Sequence, residues 1–114
     1  MTTVTFHSSD SRLDGFVVEG HSGYAEEGSD IVCAAISAAV GLTECTVNEV
    51  MGVGAAVKAR EESARFSLRL PPALNEEGES LCQTVLAGLM VYLRALGEEY
   101  PDNLTVLLDD DDED

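Results

Sequence analysis

A histidine and a cysteine twelve residues apart, His21 and Cys33, are the pair in this chain whose types and spacing could do covalent chemistry. A thiol is a strong nucleophile once it loses its proton, and an imidazole that titrates near neutral pH is the usual base to take it. His21 sits in a glycine-punctuated stretch, Gly20-His21-Ser22-Gly23-Tyr24, with Gly28 beyond it. That composition suits a loop able to carry a side chain over a neighbouring element. Cys33 sits just inside an apolar run, Ile31-Val32-Cys33-Ala34-Ala35-Ile36, preceded by Ser29 and Asp30 as candidate helix caps. With Asp30 as the cap, Cys33 falls in the first turn, where free backbone N–H groups and the positive end of the helix dipole favour a thiolate. With Ser29 as the cap the sulfur moves one position inward and the effect weakens.

Two further residues complete the constellation. Asp30 could cap the helix, orient the His21 ring, or both. Ser37, four residues after Cys33, shares its helix face and could hydrogen-bond the sulfur or a water, although a helical serine also bonds back to the preceding turn. The competing reading makes Cys33 a small core residue and His21 a solvated loop side chain. Whether imidazole and sulfur can meet decides between the two. Cys45 and Cys82 fall at apolar helical positions and His7 ends an exterior strand, so all three are read as structural.

The composition bounds what such a pair could serve. At 114 residues the chain makes one domain with a mostly aliphatic core, since aromatics are 5% and tryptophan is absent. Three widely spaced cysteines, none in a Cys-x-x-Cys pair, support neither a disulfide framework nor a zinc site, and no cofactor is called for. The N-terminus has no signal-peptide pattern and no segment reads as a membrane span, so a cytoplasmic location is expected. Twenty-two acidic residues against six basic ones give a net charge of −16. Direct nucleic-acid binding is therefore not expected, whereas a basic protein partner would be attracted.

The elements that must position the pair follow from periodicity. Thr3-Val4-Thr5-Phe6-His7 alternates as a strand, and Leu13 to Glu19 makes a second strand after a turn. A long helix apolar nearly all round, from Asp30 to about Met51, is expected to be central and the most buried. Residues 55–59 and 64–70 alternate as a second hairpin around Glu61-Glu62-Ser63, and Lys58, Arg60, Arg65, Arg69 and Arg12 suggest a positive strip facing solvent. Pro71-Pro72 stops that strand, Asn75 caps a second helix that Gly97 is expected to end, and Leu104 to Leu108 forms the last strand. The order is ββαββαβ, an α+β fold with a mixed or antiparallel sheet and two helices, over a domain of 1–108 with a disordered acidic tail at 109–114.

Gly20-His21, Tyr24, Gly28 and Asp30-Ile31-Val32-Cys33-Ala34-Ala35-Ile36-Ser37 together resemble the motif pair of the bacterial ribosomal-processing cysteine proteases, the Prp family. The resemblance implies a homodimeric protease that removes a short N-terminal extension from a large-subunit ribosomal protein. It implies Cys33 as nucleophile and His21 as base, with Asp30 and Ser37 lining the site. Ser22 stands where the family more often has alanine. The loop of residues 21–29 would then order as a lid over substrate. A non-catalytic acidic chaperone for a basic ribosomal protein, or a hydrolase of small thioesters using the same pair, are the alternatives.

Overall fold

A computed structural model describes residues 1–20 and 29–110. Five strands form one mixed sheet in the order β3-β4-β2-β1-β5: β1 (Thr2–Ser9), β2 (Arg12–Glu19), β3 (Ala56–Arg60), β4 (Arg65–Arg69) and β5 (Leu104–Asp110). Two helices, α1 (Ser29–Glu44) and α2 (Glu76–Glu99), cover one of its faces. The expected ββαββαβ order holds.

The centre is built by alternation. Thr2, Val4, Phe6 and Ser8 of β1 are buried and the residues between them half-buried, which is the period-2 signature of a strand with one face on a core. Phe6 lies beside Phe16 of β2, and Phe16 beside Leu68 of β4, so one row of large side chains crosses three strands. Against it α1 lays Val32, Ile36 and Val40, and α2 lays Cys82, Leu86, Leu89 and Leu93. Fully burying a Leu or Phe side chain contributes about 1.5–3 kcal/mol, so this one layer supplies most of the driving force.

Several boundaries differ from the sequence reading. Gly97 does not end α2, which runs on to Glu99; a Cβ there would lie 3.2 Å from the Leu104 carbonyl oxygen, so its role is close approach of the helix to β5. β5 extends to Asp110, and Ser8 donates to the Asp110 carboxylate at 3.0 Å, so the first two residues of the acidic run are part of the sheet. The first helix continues beyond Glu44 as a π-helical segment, Cys45–Val50, marked by the Met51 N–H bond to the Thr46 carbonyl. Ile31–Val50 and Glu76–Glu99 are consequently each long and apolar enough to cross a membrane by length and composition, contrary to expectation. Both instead lay one apolar stripe on the sheet. Within one chain α1 is also not buried all round: Ile31 and Leu42 are 61% and 69% exposed on the stripe opposite Val32 and Ile36.

Side-chain clasps close the end of the fold where β2 begins. The Arg12 guanidinium donates twice to Glu79 (2.6 and 3.0 Å), once to Asp14 (2.8 Å) and once to the Pro71 carbonyl (2.8 Å), joining the sheet to the first turn of α2. The Glu79 hydrogen bonds raise Arg12 above its already high value, and the same bonds hold the Glu79 carboxyl below the usual carboxylate range. Where β4 has ended, the Gln83 side-chain amide takes the place of a neighbouring strand, bonding both the N–H and the C=O of Leu13. Asn48 of the π-helical segment does the same for Ala55.

Candidate active site

The strand that leads to the histidine ends at a fixed point. Gly20 donates to the Ala64 carbonyl at 3.0 Å and accepts from the Thr2 hydroxyl at 3.4 Å, which pins it between the start of β1 and the β3–β4 turn. Its φ of +85° and the 2.8 Å distance from an added Cβ to the Met1 carbonyl oxygen admit only glycine. His21, Ser22, Gly23, Tyr24 and Gly28 follow and lie outside the described residues. The chain is described again from Ser29, where α1 begins.

Cys33 is the fifth residue of α1 and half-buried. It flanks the stripe of Val32 and Ile36 that enters the core, while Ile31 and Ala34 on its other side are exposed. Ser37 follows one turn later on the same face and is exposed. The expected cap is corrected. The helix begins at Ser29, which places Asp30 inside it as its second residue and moves Cys33 out of the first turn. The N–H groups left free by helix geometry are those of the first four residues, ahead of Cys33 in the chain.

The three thiols occupy three different environments. Cys82 is fully buried against the sheet, and that burial, with Glu79 adding to it, pushes its pKa up. Cys45 is exposed in the π-helical segment, twelve residues and about 18 Å of helix beyond Cys33. Among the described residues, Cys33 alone of the three thiols is both partly accessible and in the opening turns of α1. His7 is engaged elsewhere, its Nδ1 lying 3.4 Å from the Asp109 carboxylate on the far side of the sheet.

The expected positive strip is real but smaller than predicted. Lys58, Arg60, Arg65 and Arg69 all project from the open face of the β3–β4 hairpin, whereas Arg12 is committed to Glu79. The sequence reading missed the Arg12, Gln83 and Asn48 clasps because their partners lie 67, 70 and 7 residues away, with no local pattern to mark them.

Comparison with known proteins adds what the described geometry leaves open. The family model for the cysteine protease Prp matches residues 1–105. The chain belongs to the Prp family. The ribosomal processing cysteine protease Prp of Bacillus subtilis is 30% identical over 99 residues, covering 87% of this chain and 88% of that protein. The Prp of Staphylococcus aureus is 29% identical over 108 residues, covering 91% and 95%. A crystal structure of Staphylococcus aureus Prp with a substrate peptide superposes with a TM-score of 0.82 at 22% identity, over 95% of this chain and 99% of that one. A second, with a covalently linked product peptide, gives 0.74 at 27% identity over the same shares. As a member of the Prp family this chain is a cysteine protease, with the α+β fold of those structures.

Proposed function

We propose that this Prp-family protease removes a short N-terminal extension from a basic large-subunit ribosomal protein, with Cys33 as nucleophile and His21 as general base and acid. The observation that carries this reading is that Cys33 is partly accessible in the opening turns of α1, while β2 ends at the pinned Gly20, the residue before His21. The names of the relatives support the substrate class, and the covalent product in the Staphylococcus aureus protein is consistent with thiol chemistry.

In this mechanism His21 takes the Cys33 proton and the sulfur forms a bond to the scissile carbonyl carbon. The carbonyl electron pair moves to oxygen, toward the free N–H groups at the start of α1. Collapse breaks the C–N bond, and the amine leaves with the proton that His21 returns. Water, deprotonated by His21, then releases the acyl group. Asp30 and Ser37 line the site. The net charge of −16 favours a lysine-rich substrate at long range, so added salt is expected to lower the substrate on-rate.

A cytoplasmic homodimer fits this reading. The exposed stripe of α1 and the facing part of α2 form an open groove of about 510 Å³ that Ala35, Ala38, Leu42, Val85 and Tyr92 help to line, and a second copy is the occupant we assign to it. Light scattering with Leu42→Glu is expected to show a monomer where the parent chain is a dimer.

The deciding experiment incubates the extended precursor with the parent chain, Cys33→Ala and His21→Ala. A shortened product from the parent chain alone is expected. Binding that survives both substitutions with no product from any of the three would favour the chaperone reading, and turnover confined to small thioesters would favour the other hydrolase.

A further inference from the structure

We propose that the open face of the β3–β4 hairpin is a docking surface for the phosphate backbone of duplex RNA. The choice of RNA as the source of phosphates rests on the ribosomal reading above. The surface itself rests on the placement of charge.

The strand register puts Lys58 opposite Ser67, Arg60 opposite Arg65 and Ala56 opposite Arg69, all on the face turned away from the helices. Four of the six basic residues of a chain with net charge −16 are thus gathered on one two-stranded patch, and all four are exposed. The gathering opposes stability, because like charges directly across a strand pair repel, as Arg60 and Arg65 do. Among the described residues, Arg65 is relieved by Glu19 at 2.7 Å, and no ion pair is made by Lys58, Arg60 or Arg69. Glu61 and Glu62 lie in the turn at one end, Asp14 at the other end is held by Arg12, and Asp109 lies across the sheet beside His7. The hydroxyls of Ser63 and Ser67 interleave with the cations in the shallow depression they line.

The uncharged surroundings narrow the partner. Val57, Phe66 and Leu68 turn into the core, so this face of β3 and β4 offers no aromatic and no large aliphatic anchor. A protein partner needs such anchors, and single-stranded nucleic acid needs aromatic platforms for its bases. A duplex backbone needs only spaced cations, and three of the four here are arginines, whose fork matches phosphate. The overall negative charge does not forbid this. The shortest dimension of the molecule is 24 Å, against a Debye length of about 8 Å at physiological ionic strength. Carboxylates on the helical side are therefore screened from a ligand on the sheet face, and the local patch decides.

Fluorescence anisotropy of a labelled duplex RNA of mixed sequence, titrated with the full chain, tests the proposal. Binding is expected at 50 mM salt and, for about three to four neutralised phosphates, a loss of roughly 40- to 150-fold in affinity at 200 mM. Arg60→Gln with Arg69→Gln is expected to weaken binding at least tenfold, and Arg94→Gln, on α2, to leave it unchanged. If the double variant fails a circular-dichroism melt, Lys58→Gln alone is expected to reduce the salt slope by about one. No binding at 50 mM salt, an equal loss in Arg94→Gln, or tighter binding of polyglutamate or duplex DNA would each overturn it. Precursor cleavage measured on the same protein separates the two readings: cleavage without RNA binding removes this surface alone, and RNA binding without cleavage removes the processing role alone.

Discussion

The two helices lie on the same face of the sheet and bury similar stripes, yet they are held in different ways. α2 is tied at its start by four separate devices: Asn75 caps it at 2.7 Å, Glu79 holds Arg12, Gln83 holds Leu13, and Cys82 is sealed beneath. Among the described residues, α1 shows no such ties in its first turns, and it carries the half-buried Cys33 there and an apolar stripe left open beside it. The difference teaches where this fold spends its stability. On the proposed reading a reactive group needs access and room to move, and the firm anchoring sits on the other helix.

Substitutions on the two helices should therefore separate activity from stability. The largest effect is expected from Cys33→Ala, a loss of peptide cleavage of roughly 10⁴-fold or more with little change in melting temperature, while Cys45→Ala leaves cleavage within about twofold of the parent chain. Matched peptide kinetics and thermal melts would check this, and equal losses from both cysteines would erase the distinction between the start of α1 and the π-helical segment that follows it.

Next comes Leu86→Ala on α2, which should cost about 2–5 kcal/mol by removing a fully buried side chain beneath the Phe6–Phe16 row. Urea unfolding reads that loss directly, and a cost below that range would mean α2 is not the firmer helix.

Arg12→Ala should cost about 1–2 kcal/mol, the range for charge-assisted hydrogen bonds discounted for partial exposure. It should also change the pH dependence. Because Arg12 lowers the folded-state value of Glu79, the clasp contributes fully above about pH 4.3, the unfolded carboxylate value, and loses its contribution as pH falls through the lower folded value. Melts from pH 7 to pH 2 should show a steeper acid loss in the parent chain than in Arg12→Ala. Parallel curves would remove Glu79 from the account. The smallest effect is expected for Asn75→Ala, about 1 kcal/mol from the lost cap, read by the same urea titration.

Much of the fold could be read locally. Thr3 to His7 alternates, the 55–59 and 64–70 segments alternate around a charged turn, and the leucines of α2 recur at helical spacing, so order and type of element follow from period alone. Boundaries were less legible. Gly97 looks like a helix stop in sequence but is a contact in space, and the acidic run looks like tail until pairing with β1 draws Asp109 and Asp110 into the sheet. The helix start was misjudged by one or two residues for a similar reason, since Ser29 and Asp30 both read as caps in sequence but lie within α1.

What the sequence alone determined is chemical: a thiol and an imidazole in a family-specific context, a reduced and aliphatic core, and a large negative charge. These depend on which residues are present and on their near neighbours, and no folding is needed to count them. What only the tertiary structure decided is placement: which of the three thiols is sealed in the core, which arginine is spent on a clasp instead of the positive strip, and which cations of that strip face one another across β3 and β4. Those outcomes depend on strand register and on contacts between residues dozens of positions apart, for which a linear pattern carries no signal.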